Sequence, residues 1–135
     1  MIKKLLCLLA LLGPFAVHAY SGPELLKDCQ VAEEHLADRK SPDPYDSVRS
    51  TRCLSYVAGV ADGYAVGDYL AERVGVRLNA FCLPKNDPDL SMRLVRAVVI
   101  HVERMPPNAT TGTATLVAGA FARAFPCSDS LEPRK

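Results

Sequence analysis

The sequence lacks two features that would indicate a membrane protein or a nucleic-acid-binding protein. A membrane-spanning helix needs about 20 consecutive, mainly apolar residues, and no such segment follows the short apolar stretch at residues 5–12. Nucleic acid binding needs a basic patch, whereas the chain has 16 Lys and Arg against 15 Asp and Glu, mixed along its length. We therefore expect that the chain does not bind nucleic acid, and that the part after this short apolar stretch does not insert into a membrane.

Residues that commonly carry catalysis or bind metals are also scarce. The chain has 3 histidines, and it contains neither an H-E-x-x-H metal motif nor a G-x-S-x-G nucleophile elbow. His35 is predicted to act as a favourable cation at a helix end. His101 is predicted to be a core histidine, hydrogen-bonded to a backbone carbonyl or a buried hydroxyl. The sequence thus predicts a protein that is not an enzyme and has no metal or cofactor; the alternative is a small enzyme that uses His101.

The first 19 residues have the three parts of a secretory signal peptide. These parts are a positive start at Lys3 and Lys4, an apolar stretch at residues 5–12 that Gly13-Pro14 ends, and a small-x-small cleavage site at Val17-His18-Ala19. The mature chain should begin at Tyr20, and Cys7 should leave with the signal. We expect a signal peptide at residues 1–19, one domain at residues 20–135 with a net charge of about −1, and a periplasmic location.

The mature chain contains four segments with helical apolar periodicity and none with the two-residue alternation of a half-buried strand. The first helix is predicted at residues 22–36, with Ser21 and Glu24 as a capping box. After a proline-containing linker at residues 38–47, the second helix is predicted to start near Ser47. Four helices predict an all-α fold, a small antiparallel four-helix bundle.

The third and fourth helices are predicted from caps and prolines. A loop at about residues 72–86 precedes Asp87, which should cap the third helix. Pro106-Pro107 should end that helix, and Asn108 should cap the fourth. The predicted core stripe of the third helix consists of Leu90, Leu94, Val98, Val102 and Met105.

Two surfaces away from the predicted core are candidates for a homodimer contact. Gly59, Gly63 and Gly67 lie four residues apart in the second helix, where each glycine costs about 1 kcal/mol relative to alanine. A smooth strip would allow close helix approach; the alternative is that the helix ends or bends near Gly63. The second candidate surface lies on the third helix and consists of Met92, Val99 and Ile100.

Four cysteines remain after signal removal: Cys29, Cys53, Cys82 and Cys127. Four cysteines in an exported chain imply two disulfides, with three possible connectivities. Cys29 and Cys53 should lie level in an antiparallel helix pair, and Cys82 and Cys127 should share one end of an up-down bundle. The bundle therefore predicts the pairs Cys29–Cys53 and Cys82–Cys127. Zinc binding is the alternative, but the spacing contains no paired C-x-x-C.

Several short motifs together resemble the Rap/Tai immunity proteins. These motifs are C-L-x-Y-V-x-G-V-x-D-G at residues 53–63, C-x-P at residues 82–84, a helix that ends before the proline-marked turn at residues 105–107, and A-F-P-C at residues 124–127. The resemblance covers most of the mature chain. It implies a small helical periplasmic protein, usually a homodimer, that protects a bacterium from a peptidoglycan-cleaving amidase effector of a type VI secretion system.

The predicted function is therefore inhibition of a cognate cell-wall amidase toxin. The alternative is a non-catalytic cell-envelope accessory or binding protein of the same fold, which the absence of a neighbouring amidase gene would favour. The turn at residues 103–108 is predicted to enter the hydrolase groove, because two prolines lower the entropy cost of ordering it. Arg104 and Met105 would contact the toxin there. If they do not, the expected interface is the outer face of the third helix around Arg93 and Arg96.

Overall fold

The computed structural model describes residues 20–104 and 111–128. Those residues form helices and no β-strand, which confirms the predicted all-α bundle. The four helices are α1 (Gly22–Leu36), α2 (Asp46–Glu72), α3 (Leu90–Arg104) and α4 (Thr113–Ala124).

Helix α1 begins where its capping box predicts. The Ser21 backbone N–H donates to the Glu24 carboxylate at 2.9 Å, and the Glu24 backbone N–H donates to the Ser21 hydroxyl at 3.4 Å. These bonds satisfy two backbone donors that the first turn of a helix leaves without partners. The inner side of α1 then buries Leu25, Cys29 and Ala32.

Helix α2 continues through its three glycines without ending at Gly63. It begins at Asp46, one residue before the predicted start, and it buries Cys53, Val57 and Ala61 on its inner side. The burial of this inner face against α1 outweighs the low helix propensity of the glycines, since tertiary packing supplies most helix stability in proteins.

The connection from α2 to α3 folds back along α2. The Leu78 backbone N–H donates to the Asp68 carboxylate at 3.1 Å, and the Ala80 N–H donates to the Tyr64 hydroxyl at 2.8 Å. The ring of Phe81 is buried and stacks on Tyr64, with their centroids 3.9 Å apart. This packing fixes the connection to the core.

Two predicted helix starts are displaced. Asp87 accepts a hydrogen bond from the Asp89 backbone N–H at 3.0 Å, but the bonds of the helix itself begin at Leu90. Asn108 lies outside the described residues, and α4 begins at Thr113 with Gly112 at its N-cap. The prediction that Asn108 caps the fourth helix is therefore wrong.

Helix α3 lies between α1 and α4 and therefore buries a wider side than predicted. Leu94, Val98 and Val102 are in the core as expected, and Val95 and Val99 join them. Val99 is only 5 % exposed. Its predicted position on an outward face is wrong, because contact with two neighbouring helices buries adjacent stripes of α3.

Both predicted disulfides are present. Cys29 of α1 pairs with Cys53 of α2, and Cys82 before α3 pairs with Cys127 after α4. Each bridge therefore closes one antiparallel helix pair. Loop-entropy estimates give about 3–4 kcal/mol of stabilisation for each bridge.

No helix within residues 20–104 and 111–128 combines the length and the apolar character needed to cross a membrane.

Candidate interaction surfaces

The titratable groups do not form a metal site in the part of the chain that the structure describes. No group of three or more His, Cys, Asp or Glu side chains there is arranged to hold a metal ion. His35 is exposed in the last turn of α1. The exposed surfaces of the helices are therefore the candidate functional sites.

His101 is held by packing between α3 and α4. Its Nε2 atom lies 3.1 Å from the position that a Cβ atom would occupy at Gly119, so the absence of a side chain at Gly119 makes room for the ring. Its Nδ1 atom is buried and has no hydrogen-bond partner among the described residues, which contradicts the expected bond to a carbonyl or hydroxyl. Burial, together with the positive charge of Arg123, lowers the pKa of His101 below its ordinary value of 6.5.

A polar cluster joins the start of the domain to α2. Asp28 is 1 % exposed, accepts a hydrogen bond from the Tyr20 hydroxyl at 2.8 Å and forms an ion pair with Arg52 at 2.5 Å. The Tyr20 ring packs edge-on against Tyr56. The pKa of Tyr20 is raised above its usual range, mainly by burial and secondly by the hydrogen bond to Asp28. This cluster fixes the entry to α1 and was not predicted, because its partners are far apart in sequence.

The outer side of α2 is smooth and unoccupied. A Cβ atom added at Gly59 or at Gly63 would have no heavy atom within 4 Å, whereas one at Gly67 would lie 3.8 Å from Leu78. At 100° per residue, Gly59 and Gly63 share one stripe with Val66 and Leu70. Val66 and Leu70 are each 58 % exposed. The glycines thus form a shallow notch beside two protruding apolar side chains.

The apolar surface continues beyond the helix. Large hydrophobic side chains are exposed at nine positions in the described residues, and six of those positions lie between residues 66 and 78. We call Gly59, Gly63 and these six residues the α2 outer patch; the six are Val66, Tyr69, Leu70, Val74, Val76 and Leu78. A concentration of exposed apolar side chains such as this one is typical of an interaction site. The glycine spacing indicated the first part of the patch, and the apolar residues beside the glycines on α2 could have indicated Val66 and Leu70; the exposure of Val74, Val76 and Leu78 after the helix had no such signal.

A second surface feature is a groove of about 580 Å³ between α1 and α3. Arg96 and Glu33 cross it with their charged atoms 3.7 Å apart, and Gln30 donates a hydrogen bond to Glu103 at 2.9 Å. Ile100 is 39 % exposed at its edge. The groove is therefore lined by one predicted toxin-contact residue, Arg96, and by two predicted dimer residues, Val99 and Ile100.

The remaining predicted contact residues are separated from one another. Arg93 forms an ion pair with Asp87, and its guanidinium lies over the Phe125 ring, 5.1 Å from the centroid. Met92 is partly buried, and Arg104 is exposed at the end of α3. Met105 and the proline turn lie outside the described residues. Arg93 is thus already paired within the chain, whereas Arg104 has no ion pair to another described residue.

Comparison with known proteins gives one clear relationship. No curated protein and no solved structure matches the chain. A family model described as Rap1a immunity proteins matches residues 21–127, which include all four helices and both disulfides. The protein therefore belongs to the Rap1a immunity protein family.

Proposed function

We propose that this protein is a periplasmic immunity protein that inhibits a peptidoglycan-cleaving amidase effector of a type VI secretion system. Membership of the Rap1a family, with the match over residues 21–127, carries the proposal and indicates an immunity function against a toxin. The signal-like residues 1–19 support action in the periplasm, because that compartment holds the peptidoglycan that such a toxin cuts.

Inhibition of this kind depends on a surface of fixed shape. A rigid surface binds with a smaller loss of conformational entropy than a flexible one. Here two disulfides and a continuous hydrophobic core hold the four helices. The protein would therefore present a preformed surface to the toxin and act without catalysis of its own.

The end of α3 is the proposed contact with the toxin. Arg104 is exposed at the end of α3, and the next residues in the sequence are Met105, Pro106 and Pro107, which the sequence predicts to form a turn. Its charge would complement acidic groups beside the amidase active site, and Met105 would fill an apolar pocket. Arg93 and Arg96 rank after Arg104 as candidates, because each is already paired with an acidic residue of the chain. Arg93 pairs with Asp87, and Arg96 pairs with Glu33.

We further propose that the α2 outer patch joins two copies of the protein. In an antiparallel pairing of two α2 helices about a two-fold axis, Leu70 of each copy faces Gly59 of the other, and Val66 faces Gly63. Protruding side chains then fill the notches of the other copy, as an isologous interface requires. This self-complementarity and the exposure of the patch favour a homodimer.

Co-expression with the amidase toxin tests the proposed function. A bacterial strain would express a periplasm-targeted amidase from the same genome together with either the full chain or residues 20–135 without the signal. We expect the full chain to preserve growth and the unexported form to fail. Purified mature protein should also stop peptidoglycan cleavage at a 1:1 ratio of protein to toxin.

Two controls make the outcome specific. A catalytically inactive amidase variant should leave growth normal with or without this protein. A purified mature domain that folds but neither binds the amidase nor slows its turnover would contradict the amidase as target. Equal protection by the exported and unexported forms would contradict periplasmic action.

A further inference from the structure

The two disulfide bridges differ in their access to solvent. Cys29 and Cys53 are both 0 % exposed and belong to the hydrophobic core. Cys82 is exposed, and Cys127 is only partly buried. One bridge is therefore enclosed by packed helices, whereas the other lies at the protein surface.

This difference determines which bridge can react in the folded protein. Thiol–disulfide exchange begins when a thiolate attacks a disulfide sulfur, so its rate depends on access to that sulfur. A reagent reaches the Cys29–Cys53 bridge only after the core has opened, and core elements open at free energies that approach that of global unfolding. The Cys82–Cys127 bridge needs no such opening.

The surroundings of the exposed bridge would stay in place after it opens. The Cys82 backbone N–H donates to the Phe125 carbonyl at 2.8 Å. Phe81 and Phe125, the neighbours of this pair, are both buried and pack against Phe121. These contacts, together with the closed Cys29–Cys53 bridge, keep the ends of α3 and α4 attached when the surface bridge is reduced.

We propose that the Cys82–Cys127 bridge is a dithiol-exchange site of the native protein, and that the Cys29–Cys53 bridge is closed to the same chemistry. A thiolate of the dithiol bonds to the Cys82 sulfur, the bond between Cys82 and Cys127 breaks, and Cys127 leaves as a thiolate that takes a proton from water. The second thiolate of the dithiol then attacks the mixed disulfide and releases Cys82. The bridge gains two electrons, and the dithiol becomes a disulfide.

The consequence is an order for oxidative folding. A thiol–disulfide oxidoreductase in its dithiol form can reopen the surface bridge at any time in the life of the protein, and the same enzyme in its disulfide form can close the bridge by the reverse steps. It can act on Cys29 and Cys53 only before α1 and α2 pack against α3. This assignment does not depend on the proposed toxin.

The test is reduction of the native mature protein by dithiothreitol without denaturant. Samples would be quenched with acid at intervals, alkylated with a mass-tagged reagent and mapped by peptide mass spectrometry. We expect Cys82 and Cys127 to be labelled at a rate proportional to the dithiol concentration. Cys29 and Cys53 should be labelled more slowly by a factor of at least roughly 1,000, because the unfolded fraction of a native protein is about 10⁻³ or smaller. The helical circular dichroism signal should persist.

Two comparisons complete the test. In concentrated guanidinium chloride all four cysteines should be labelled quickly, which shows that only folding protects Cys29 and Cys53. In a variant with Cys82→Ala and Cys127→Ala, the remaining bridge should stay resistant. Equal labelling rates for the two bridges in native buffer would overturn the proposal, as would loss of helical signal in step with opening of the surface bridge.

Discussion

Asp28 of α1 is almost completely buried and forms an ion pair at 2.5 Å with Arg52 of α2, whose side chain is half exposed. The same carboxylate also accepts the hydroxyl hydrogen bond of Tyr20. One buried acid therefore fixes the antiparallel pairing of α1 and α2 and the entry of the chain into α1.

We expect Asp28→Ala to lower the free energy of unfolding by about 1–3 kcal/mol, because the substitution leaves the partly buried Tyr20 hydroxyl and the half-exposed Arg52 guanidinium without their acceptor. Urea denaturation monitored by circular dichroism measures this loss. Glu34→Ala is the matched control, since it removes the exposed ion pair with Arg39 from the same helix and should change little. Equal effects of the two substitutions would contradict the role of the buried acid.

Stability should fall as the solution becomes mildly acidic. The pKa of His101 is lower in the folded protein than its ordinary value of 6.5. The unfolded chain therefore binds more protons here, and stability decreases as pH falls from about 6.5 through the folded-state pKa. This loss should appear in the urea midpoints of unfolding, measured from about pH 8 down to about pH 5, a range that spans the titration of histidine. His101→Gln should show a smaller loss, and an identical pH profile would contradict the prediction.

The contact between His101 and Gly119 should appear as energetic coupling. Alanine is favoured over glycine by about 1 kcal/mol inside a helix. At Gly119, however, the new Cβ would lie 3.1 Å from the imidazole and displace it. We expect Gly119→Ala to destabilise the wild type and to stabilise a His101→Ala variant. A double-mutant cycle measures the difference, and additive effects would contradict the contact.

The predicted homodimer can be tested at the α2 outer patch. Gly63→Arg should give a folded monomer in light scattering, because the arginine occupies the notch that the second copy needs. Ala65→Arg, an exposed change on another side of α2, should leave the dimer intact. If Ile100→Asp breaks the dimer and Gly63→Arg does not, the contact lies on α3. A wild type that is monomeric at high concentration would contradict the homodimer itself.

The predicted toxin contact can be tested at the end of α3. If Arg104 and Met105 are the central contacts with the toxin, we expect Arg104→Ala combined with Met105→Ala to weaken amidase inhibition by at least about tenfold, since truncation of a hot-spot residue costs about 2 kcal/mol or more. Circular dichroism would verify that the variant is folded. Arg93→Ala combined with Arg96→Ala is the comparison. Full inhibition by the first variant and loss by the second would move the contact to the outer face of α3.

Local sequence signals predicted where the helices lie along the chain better than they predicted which helices pack against one another. The capping box at Ser21 predicted the start of α1 correctly, because the two residues that form its hydrogen bonds, Ser21 and Glu24, are only three positions apart in the sequence. The disulfide pairs followed from the antiparallel arrangement. By contrast, the burial of Val99 depends on α1, which is remote in sequence. The apolar periodicity of α3 alone could not show that two helices would cover it.

The distribution of contacts around α2 also bears on how such a protein can diversify. Its inner side forms the disulfide and the core contacts, whereas Gly59 and Gly63 have open space around them on the outer side. Surface substitutions away from structural features usually change stability by less than about 0.5 kcal/mol. Substitutions on the outer face of α2 can therefore change what that face binds, the second copy included, while the inner contacts that hold the fold stay the same. Descendants of this chain can acquire new binding preferences there without first acquiring compensating mutations in the core.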